Sequence, residues 1–195
     1  VIAAGIGRLT EQSRVRQFEI MEELASKNQL LEKLSIEDPL TKLYNRRYFD
    51  AKLHVKTARS QRYGYPLGLL IIDIDNFKLT NDNTGHLEGD KVLMQAAELI
   101  TAEFRTVDVV CRYGGDEFVV LLVEASASAS LEIANRICNQ VSQYAFNFLG
   151  KVVSVSIGHT QYDGQPIGGF LQQADKMLYV SKTLSKNRVS SECHS

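Results

Sequence analysis

Apolar positions along this chain change their period several times, and each change marks an element. Residues 10–35 contain neither Pro nor Gly and are rich in Glu, Gln, Leu and Lys, which predicts one helix. Its register is open. One stripe runs Met21, Leu24, Asn28, Leu31, and another runs Ile20, Leu24, Lys27, Leu31, Leu34. Both alternate steps of three and four, as a coiled-coil seam does, and each carries one polar residue. The segment reads either as a stalk that switches between two dimer registers or as a plain amphipathic linker. Asp38-Pro39-Leu40-Thr41 then stops it, because Pro disfavours helix at the residue before it.

Beyond that stop the pattern alternates between helix and strand. Tyr48, Ala51, Val55 and Ala58 mark a helix face. Leu67–Ile74 is a nearly continuous apolar run bounded by Pro66 and Asp75, which predicts a buried strand. Leu93, Ala97, Ile100 and Phe104 mark a second helix. Val107–Tyr113 and Phe118–Val123 predict two strands around Gly114-Gly115, a hairpin signal. Ala134, Ile137, Cys138, Val141 and Ala145 mark a helix, 152–158 a strand, and Phe170, Ala174, Met177 and Leu178 a last helix. From residue 67 the order is β-α-β-β-α-β and then a helix. That is a split βαβ, ferredoxin-like α+β arrangement: a central antiparallel sheet with helices on one face, preceded by a long helix. The expected organisation is the end of an upstream region at 1–9, a stalk at 10–37, one domain at 38–189 and a disordered tail at 190–195. The Ser/Ala run at 125–130 reads as a loop entering a helix.

Composition narrows the function classes. The chain has 195 residues, 44% hydrophobic and 23% charged, which suits one well-buried core with an appendage. A formal net charge of −1 leaves no basic surplus for nucleic acid. Cys111, Cys138 and Cys193 are odd in number and lack CxxC spacing, so neither a disulfide framework nor a zinc site is indicated and a reducing cytosol fits. No apolar run is long enough to span a bilayer. The opening Val1–Gly7 is apolar without a basic flank, which does not read as a signal peptide. A chain opening on Val is expected to be a fragment of a longer protein.

Candidate chemistry concentrates on carboxylates. Asp73 ends the first buried strand, and Asp116 and Glu117 sit at the tip of the hairpin. In the expected topology these strands are neighbours, so Asp73 can face Asp116 and Glu117. Carboxylates crowded at a sheet edge repel unless a cation neutralises them. Mg²⁺ suits, since it takes one or two carboxylates and fills its shell with phosphate oxygens. Two such ions can clamp the attacking and leaving oxygens of a phosphoryl transfer. Asp75 and Asp82, taken alone, read as solvated. There is no GxxxxGK[ST] and no GxGxxG, so phosphates are not held by a P-loop or a Rossmann turn. Lys78 could reach phosphate, though a lysine alone is more often a surface residue. Gly114-Gly115 leaves room for a phosphate beside the backbone, since neither carries a Cβ.

Gly114-Gly115-Asp116-Glu117-Phe118 resembles the signature of the GGDEF diguanylate cyclase family. Four further stretches, in order, resemble that family's motifs: Asp38–Arg47; Asp73–Lys78 with Asn81–His86 and Gly89-Asp90; Val153–Gly158; and Ala174–Tyr179. The likeness covers about residues 36–189 and implies the nucleotide cyclase or polymerase palm fold. It also implies roles. Asp73, the Ile74 carbonyl and Asp116 would be Mg²⁺ ligands, with Glu117 supporting a second ion. Asp116 would take the proton from an attacking 3′-hydroxyl, and Lys78 would stabilise phosphate charge. Phe77, Asn81, His86 and Asp90 would contact guanine and substrate. Asp90 suits that role, because a carboxylate only accepts and guanine offers parallel N1–H and N2–H₂ donors. His86 reads equally well as a cap of the following helix. Lys182 and Lys186 match positions where the family places basic residues on the phosphates. The family more often has Arg at 186, Gly at 185 and 42, and Val-Ala where His159-Thr160 stands.

Arg105-Thr106-Val107-Asp108 precedes the hairpin at the spacing of the family's RxxD inhibitory site. Arg and Asp suit cyclic di-GMP, pairing with phosphate and with guanine N–H, and Arg136 could supply a second clamp. A surface Arg–Asp pair with no ligand is the plain alternative. The resemblance therefore implies a cytoplasmic enzyme that joins two GTP into cyclic di-GMP and pyrophosphate. It would use two Mg²⁺ per active site, with Mn²⁺ a possible substitute. It would work as a homodimer under an upstream sensory domain, be inhibited by its product, and contact neither nucleic acid nor, as far as the sequence shows, the membrane. Two rivals stay open: a silent GTP or cyclic di-GMP receptor, which loss of Asp73, Asp116 or Glu117 would favour, and a cyclase taking another purine such as ATP, against which Asn81 and Asp90 speak.

Overall fold

The computed structural model describes residues 14, 16–27, 31, 36–146 and 152–192. The chain divides into two units, Val1–Ile36 and Glu37–Ser195. In the first, residues 14, 16–27 and 31 are helical, and Phe18, Ile20, Met21, Leu24 and Leu31 are exposed. Lys27 pairs with Glu23 one turn back at 2.7 Å. Asn28 and Leu34 of the two expected stripes lie outside the described residues, as does Cys193.

In the second unit the elements run β1 (Tyr44–Asn45), α1 (Arg46–Tyr63), β2 (Leu67–Ile74), α2 (Phe77–Thr84), α3 (His86–Thr101), β3 (Val109–Gly114), β4 (Glu117–Val123), α4 (Ala127–Gln143), β5 (Val155–Gln161), α5 (Ile167–Leu184) and β6 (Val189–Ser191). The sheet order is β1-β3-β4-β2-β5-β6. The four middle strands are antiparallel, and β1 and β6 add parallel edges to β3 and β5. Local chemistry sets the ends. Asn45 caps α1 by accepting from the Tyr48 amide at 3.1 Å, and Gly64 closes it in the left-handed region at φ 71°, where glycine carries no Cβ penalty.

Helices cover both faces of this sheet, not the one face expected. Leu70, Ile72 and Ile74 of β2 pack with α3 and α4, while Leu67, Leu69 and Ile71 pack with α1 and α5. A strand buried on both sides must be apolar at successive positions, which is why 67–74 reads as a continuous run. The one-face arrangement fails because α1 and the helix after the βαββαβ core close the second face.

Three further expectations are corrected. The buried face of α1 is Phe49, Leu53, Thr57 and Ser60, while Ala51, Val55 and Ala58 are exposed. Two members of that face are hydroxyls that bond backbone, Thr57 to the Leu53 carbonyl at 2.8 Å and Ser60 to the Tyr65 carbonyl at 2.6 Å, so an apolar search misses them. The last long strand is β5, three residues later than 152–158, and it includes His159 and Thr160. Ser190 and Ser191, assigned to a disordered tail, pair with Gly158 and His159 as part of β6.

His159 has a measurable consequence. It is 1% exposed, with Nδ1 2.8 Å from the Ser191 hydroxyl. Burial lowers its pKa to about 4, against a smaller upward pull from Gln161. Between pH 6.5 and 4 the unfolded chain therefore binds a proton that the folded chain refuses. The His159 contribution to stability is unaffected above about pH 6.5 and falls as pH drops toward 4, by about 3 kcal/mol in all. His159→Val should flatten that part of the slope in urea melts run across this range. Parallel pH slopes for the two proteins would refute it.

Candidate functional site

The acidic edge is built by strand register. Asp73 pairs directly with Glu117 across β2 and β4, and the Ile74 amide donates to the Asp116 carbonyl at 3.3 Å. Directly opposed residues on antiparallel strands project to the same face, so these two carboxylates are forced together. Asp73 is 7% exposed. Burial raises its pKa to about 6, Asp116 and Glu117 push the same way, and Lys182 opposes. The Lys182 ammonium sits 2.7 Å from Asp73 Oδ2. Among the described residues no three His, Cys, Asp or Glu side chains gather closely enough to hold a metal by themselves. The donors are nonetheless all hard oxygens, and their mutual repulsion at Asp73 is the condition a divalent cation relieves. Phosphate oxygens would complete such a shell.

The hairpin between β3 and β4 is open. Gly115 adopts φ 55°, and a Cβ at Gly114 or Gly115 would meet no atom within 4 Å. Arg112, which sequence reasoning missed, holds the turn in shape. Its Nε and Nη2 donate to the Gly115 carbonyl at 3.1 and 2.8 Å, and its Nη1 lies 3.2 Å from Asp38 Oδ1. Asp38 also accepts from the Thr41 amide and hydroxyl, both at 2.8 Å. Burial pushes the Asp38 carboxyl up, but those bonds and Arg112 outweigh it and hold the pKa below its usual value. The opening motif is thus fastened to the hairpin. Asp38 was already picked out in the motif, but Arg112 stands 74 positions away, so no local signal linked the two.

Further candidate residues stand on α2 and α3. Asn81 Oδ1 is buried without a hydrogen-bond partner. It lies against Gly89: a Cβ there would be 1.7 Å from Asn81 Oδ1 and 3.3 Å from Phe77 Cζ. An acceptor left unpaired costs about 1–3 kcal/mol unless a donor satisfies it. Gly89→Ala should displace Asn81 and raise KM for the nucleotide at least about tenfold. An unchanged KM would remove Asn81 from recognition. Asp90 is half-buried one residue on. His86 is exposed at the start of α3, where Gly85 is the cap residue without a side-chain bond. Lys78 and Lys186 lie at two different helix ends. Lys78 is exposed in the first turn of α2, and Lys186, just beyond α5, donates to Asn76 Oδ1 at 2.7 Å.

Asp75 is a correction. It is not solvated but 7% exposed, and it accepts from the Ser154 and Ser156 hydroxyls, both at 2.7 Å, and from the Asn187 amide at 3.1 Å. Its partners lie at and just before the start of β5 and in the turn before β6, far away in sequence.

The RxxD residues are already engaged with the protein. Asp108, its side chain 1% exposed, accepts from the Arg105 amide at 2.9 Å and the Val123 amide at 3.0 Å. Arg105 Nη2 donates to the Val123 carbonyl at 2.8 Å. Arg136 Nε is 2.7 Å from Glu103 Oε2, and Gln140 donates to the other Glu103 oxygen. Arg105 and Arg136 line one open groove of about 600 Å³. Asp108 is not among its lining residues.

With this geometry in place, likeness to known proteins can be assigned. A family described as "Diguanylate cyclase, GGDEF domain" matches residues 35–188. Diguanylate cyclase DosC of Escherichia coli strain K12 is 40% identical over 156 residues, covering 78% of this chain and 34% of that protein. The response regulator PleD of Caulobacter vibrioides is 36% identical over 162 residues, covering 80% and 36%. The chain thus spans about a third of these curated relatives. Among solved structures, the coiled coil and GGDEF domain of DgcB from Caulobacter crescentus, in complex with c-di-GMP, superimposes with a TM-score of 0.79 at 28% identity, covering 93% of this chain and 98% of that one. Its GGDEF domain alone, also with c-di-GMP, gives a TM-score of 0.77 at 31% identity, covering 80% and 95%. The chain belongs to the GGDEF diguanylate cyclase family.

Proposed function

We propose that this chain condenses two molecules of GTP into cyclic di-GMP, releasing two pyrophosphates. The observation that carries the reading is the unpaired Asn81 acceptor over Gly89, on the helix that follows the strand bearing Asp73. Guanine N2–H₂ supplies the missing donor, and Asp90 accepts from N1–H. Adenine presents neither donor at those positions, so it would leave polar groups unpaired.

The 3′-hydroxyl of one GTP attacks the α-phosphorus of the other, its proton passes to the Asp116 carboxylate, and pyrophosphate leaves. A second such step closes the ring. Two Mg²⁺ per site, or Mn²⁺ in their place, would lower the charge barrier between the hydroxyl and the phosphate, held by Asp73, the Ile74 carbonyl, Asp116 and Glu117. Lys78, Lys182 and Lys186 offset phosphate charge, and Gly114 and Gly115 leave the chain close to it. When nucleotide and cations arrive, Lys182 must exchange Asp73 for phosphate. Each site holds one reactant, so two domains must face each other. The homodimer is part of the chemistry, with alignment worth several kcal/mol. The stalk expected at 10–37 would couple an upstream sensor to that alignment. The setting is the cytoplasm, where GTP is available.

Product inhibition is assigned to the groove between Arg105 and Arg136. Asp108 acts there by fixing the Arg105 backbone, as its buried bonds indicate. Arg105→Ala should raise the inhibition constant of cyclic di-GMP at least about tenfold. An unchanged constant would remove the site. The overall test is incubation of the purified chain with GTP and Mg²⁺, after stripping bound product, and chromatography for cyclic di-GMP. Formation of cyclic di-GMP supports the reading. Binding without turnover would make the chain a receptor.

A further inference from the structure

Asp75 lies at the junction of three segments and has no place in the reaction described above. Its carboxylate is buried and bonded on both oxygens: Oδ1 accepts from Ser156, and Oδ2 accepts from Ser154 and from the Asn187 amide. Its own amide donates to the Ser154 carbonyl at 2.9 Å. The serines hold it at the start of β5. The Asn187 bond reaches a turn in an unfavourable conformation, since Lys186 has φ 57° and Asn187 φ 46°. Two successive non-glycine residues in the left-handed region persist only when their surroundings impose it. The Lys186 amide bonds back to the Ser181 carbonyl at 3.1 Å, and its ammonium reaches Asn76 Oδ1 at 2.7 Å. Asn76 directly follows Asp75 in the loop joining the carboxylate strand to α2. One short segment therefore grips the turn twice, through the Asp75 carboxylate and the Asn76 amide oxygen. The result is a cation held over the loop where Asp73 and Ile74 end and Lys78 begins.

We propose that Asp75 is a positioning residue for the triphosphate: its hydrogen bond to the Asn187 amide fixes the left-handed turn and presents Lys186 to the distal phosphates. This rests on GTP being the substrate. A flexible lysine makes a single-point contact and depends on its backbone for direction, unlike the rigid fork of an arginine, so the anchor matters more with Lys at this position.

The test compares the whole chain with Asp75→Ala, Asp75→Asn and Lys186→Ala in one turnover assay. It measures KM for GTP and the competitive inhibition constant of GMP, which has no distal phosphates. Asp75→Ala is expected to raise KM for GTP about tenfold, the loss of one charge-assisted contact, and to leave the GMP constant unchanged. Asp75→Asn should restore KM, because its amide oxygen can accept from Asn187 while its NH₂ donates to Ser156. In the Lys186→Ala background Asp75→Ala should add nothing. Asp75→Ser, too short to reach the Asn187 amide, replaces Asp75→Ala if that variant does not fold, and the same pattern is expected. Equal losses for GTP and GMP, additive losses with Lys186→Ala, or no loss at all would each overturn the proposal. A native chain that makes no product from GTP would instead overturn the cyclase reading.

Discussion

Asp116→Ala is expected to lower cyclic di-GMP formation by at least about a thousandfold, since one change removes a proton acceptor and a cation ligand. Thermal stability should hardly move. The structural bond at this position is made by the Asp116 carbonyl, which accepts from the Ile74 amide, and alanine keeps it. The side chain itself stands half-buried at the rim of an open hairpin, where a substitution typically changes stability by less than about 0.5 kcal/mol. A chromatographic time course beside a melting curve separates the two effects. Activity within tenfold of native would take Asp116 out of the reaction. A large fall in melting temperature would mean that the side chain supports the hairpin instead.

Gly158→Ala should have the largest effect on stability of any small change in the domain. Gly158 lies in β5 beneath α5, where a Cβ would fall 2.1 Å from the Ala174 carbonyl oxygen and 2.3 Å from the Leu178 amide nitrogen. Both are backbone atoms in the middle of a helix, so neither can turn aside as a side chain would. The helix must lift off the sheet and expose Phe170, Ala174 and Leu178, which pack with Leu69 and Ile71 of β2. A cost of about 3 kcal/mol or more is expected, at the upper end for overpacking. That corresponds to a drop of about 6–12 °C in melting temperature for a domain of this size. A variant melting with the native protein would show that β5 and α5 are less tightly apposed than the structure has them. The same alanine at Gly114, which meets nothing within 4 Å, should leave the fold intact, so the contrast tests packing and not glycine as such.

Much of the fold was legible because it depends on local pattern. The run at 67–74 marks β2 to the residue, and Gly114-Gly115 locates the hairpin. Helix α5 carries Phe170, Ala174, Met177 and Leu178 on its buried face, as expected from their spacing. Elements whose burial depends on polar atoms were not legible. Thr57 and Ser60 of α1 and His159 and Thr160 of β5 are buried polar residues that a search for apolar period passes over. The short edge strands β1 and β6 have too few residues to show a period at all.

For the site, the sequence by itself determined which side chains are available and where along the chain they stand: carboxylates at a strand end and a hairpin tip, and Asn81, Gly89 and Asp90 in the motif that follows the strand. It did so because strand and hairpin periodicity act over a few residues, and because the five motifs occur in order. Only the tertiary structure decided what each group meets. Asp75 was read as solvated, yet it is locked to Ser154, Ser156 and Asn187. Asp73 meets Lys182 on α5, Arg112 reaches Asp38 across 74 positions, and Asp108 turns inward to hold two backbone amides. The physical reason is the same in each case. A carboxylate's environment is set by the donors and charges within a few ångströms of it, and in this fold those come from segments that no local pattern links.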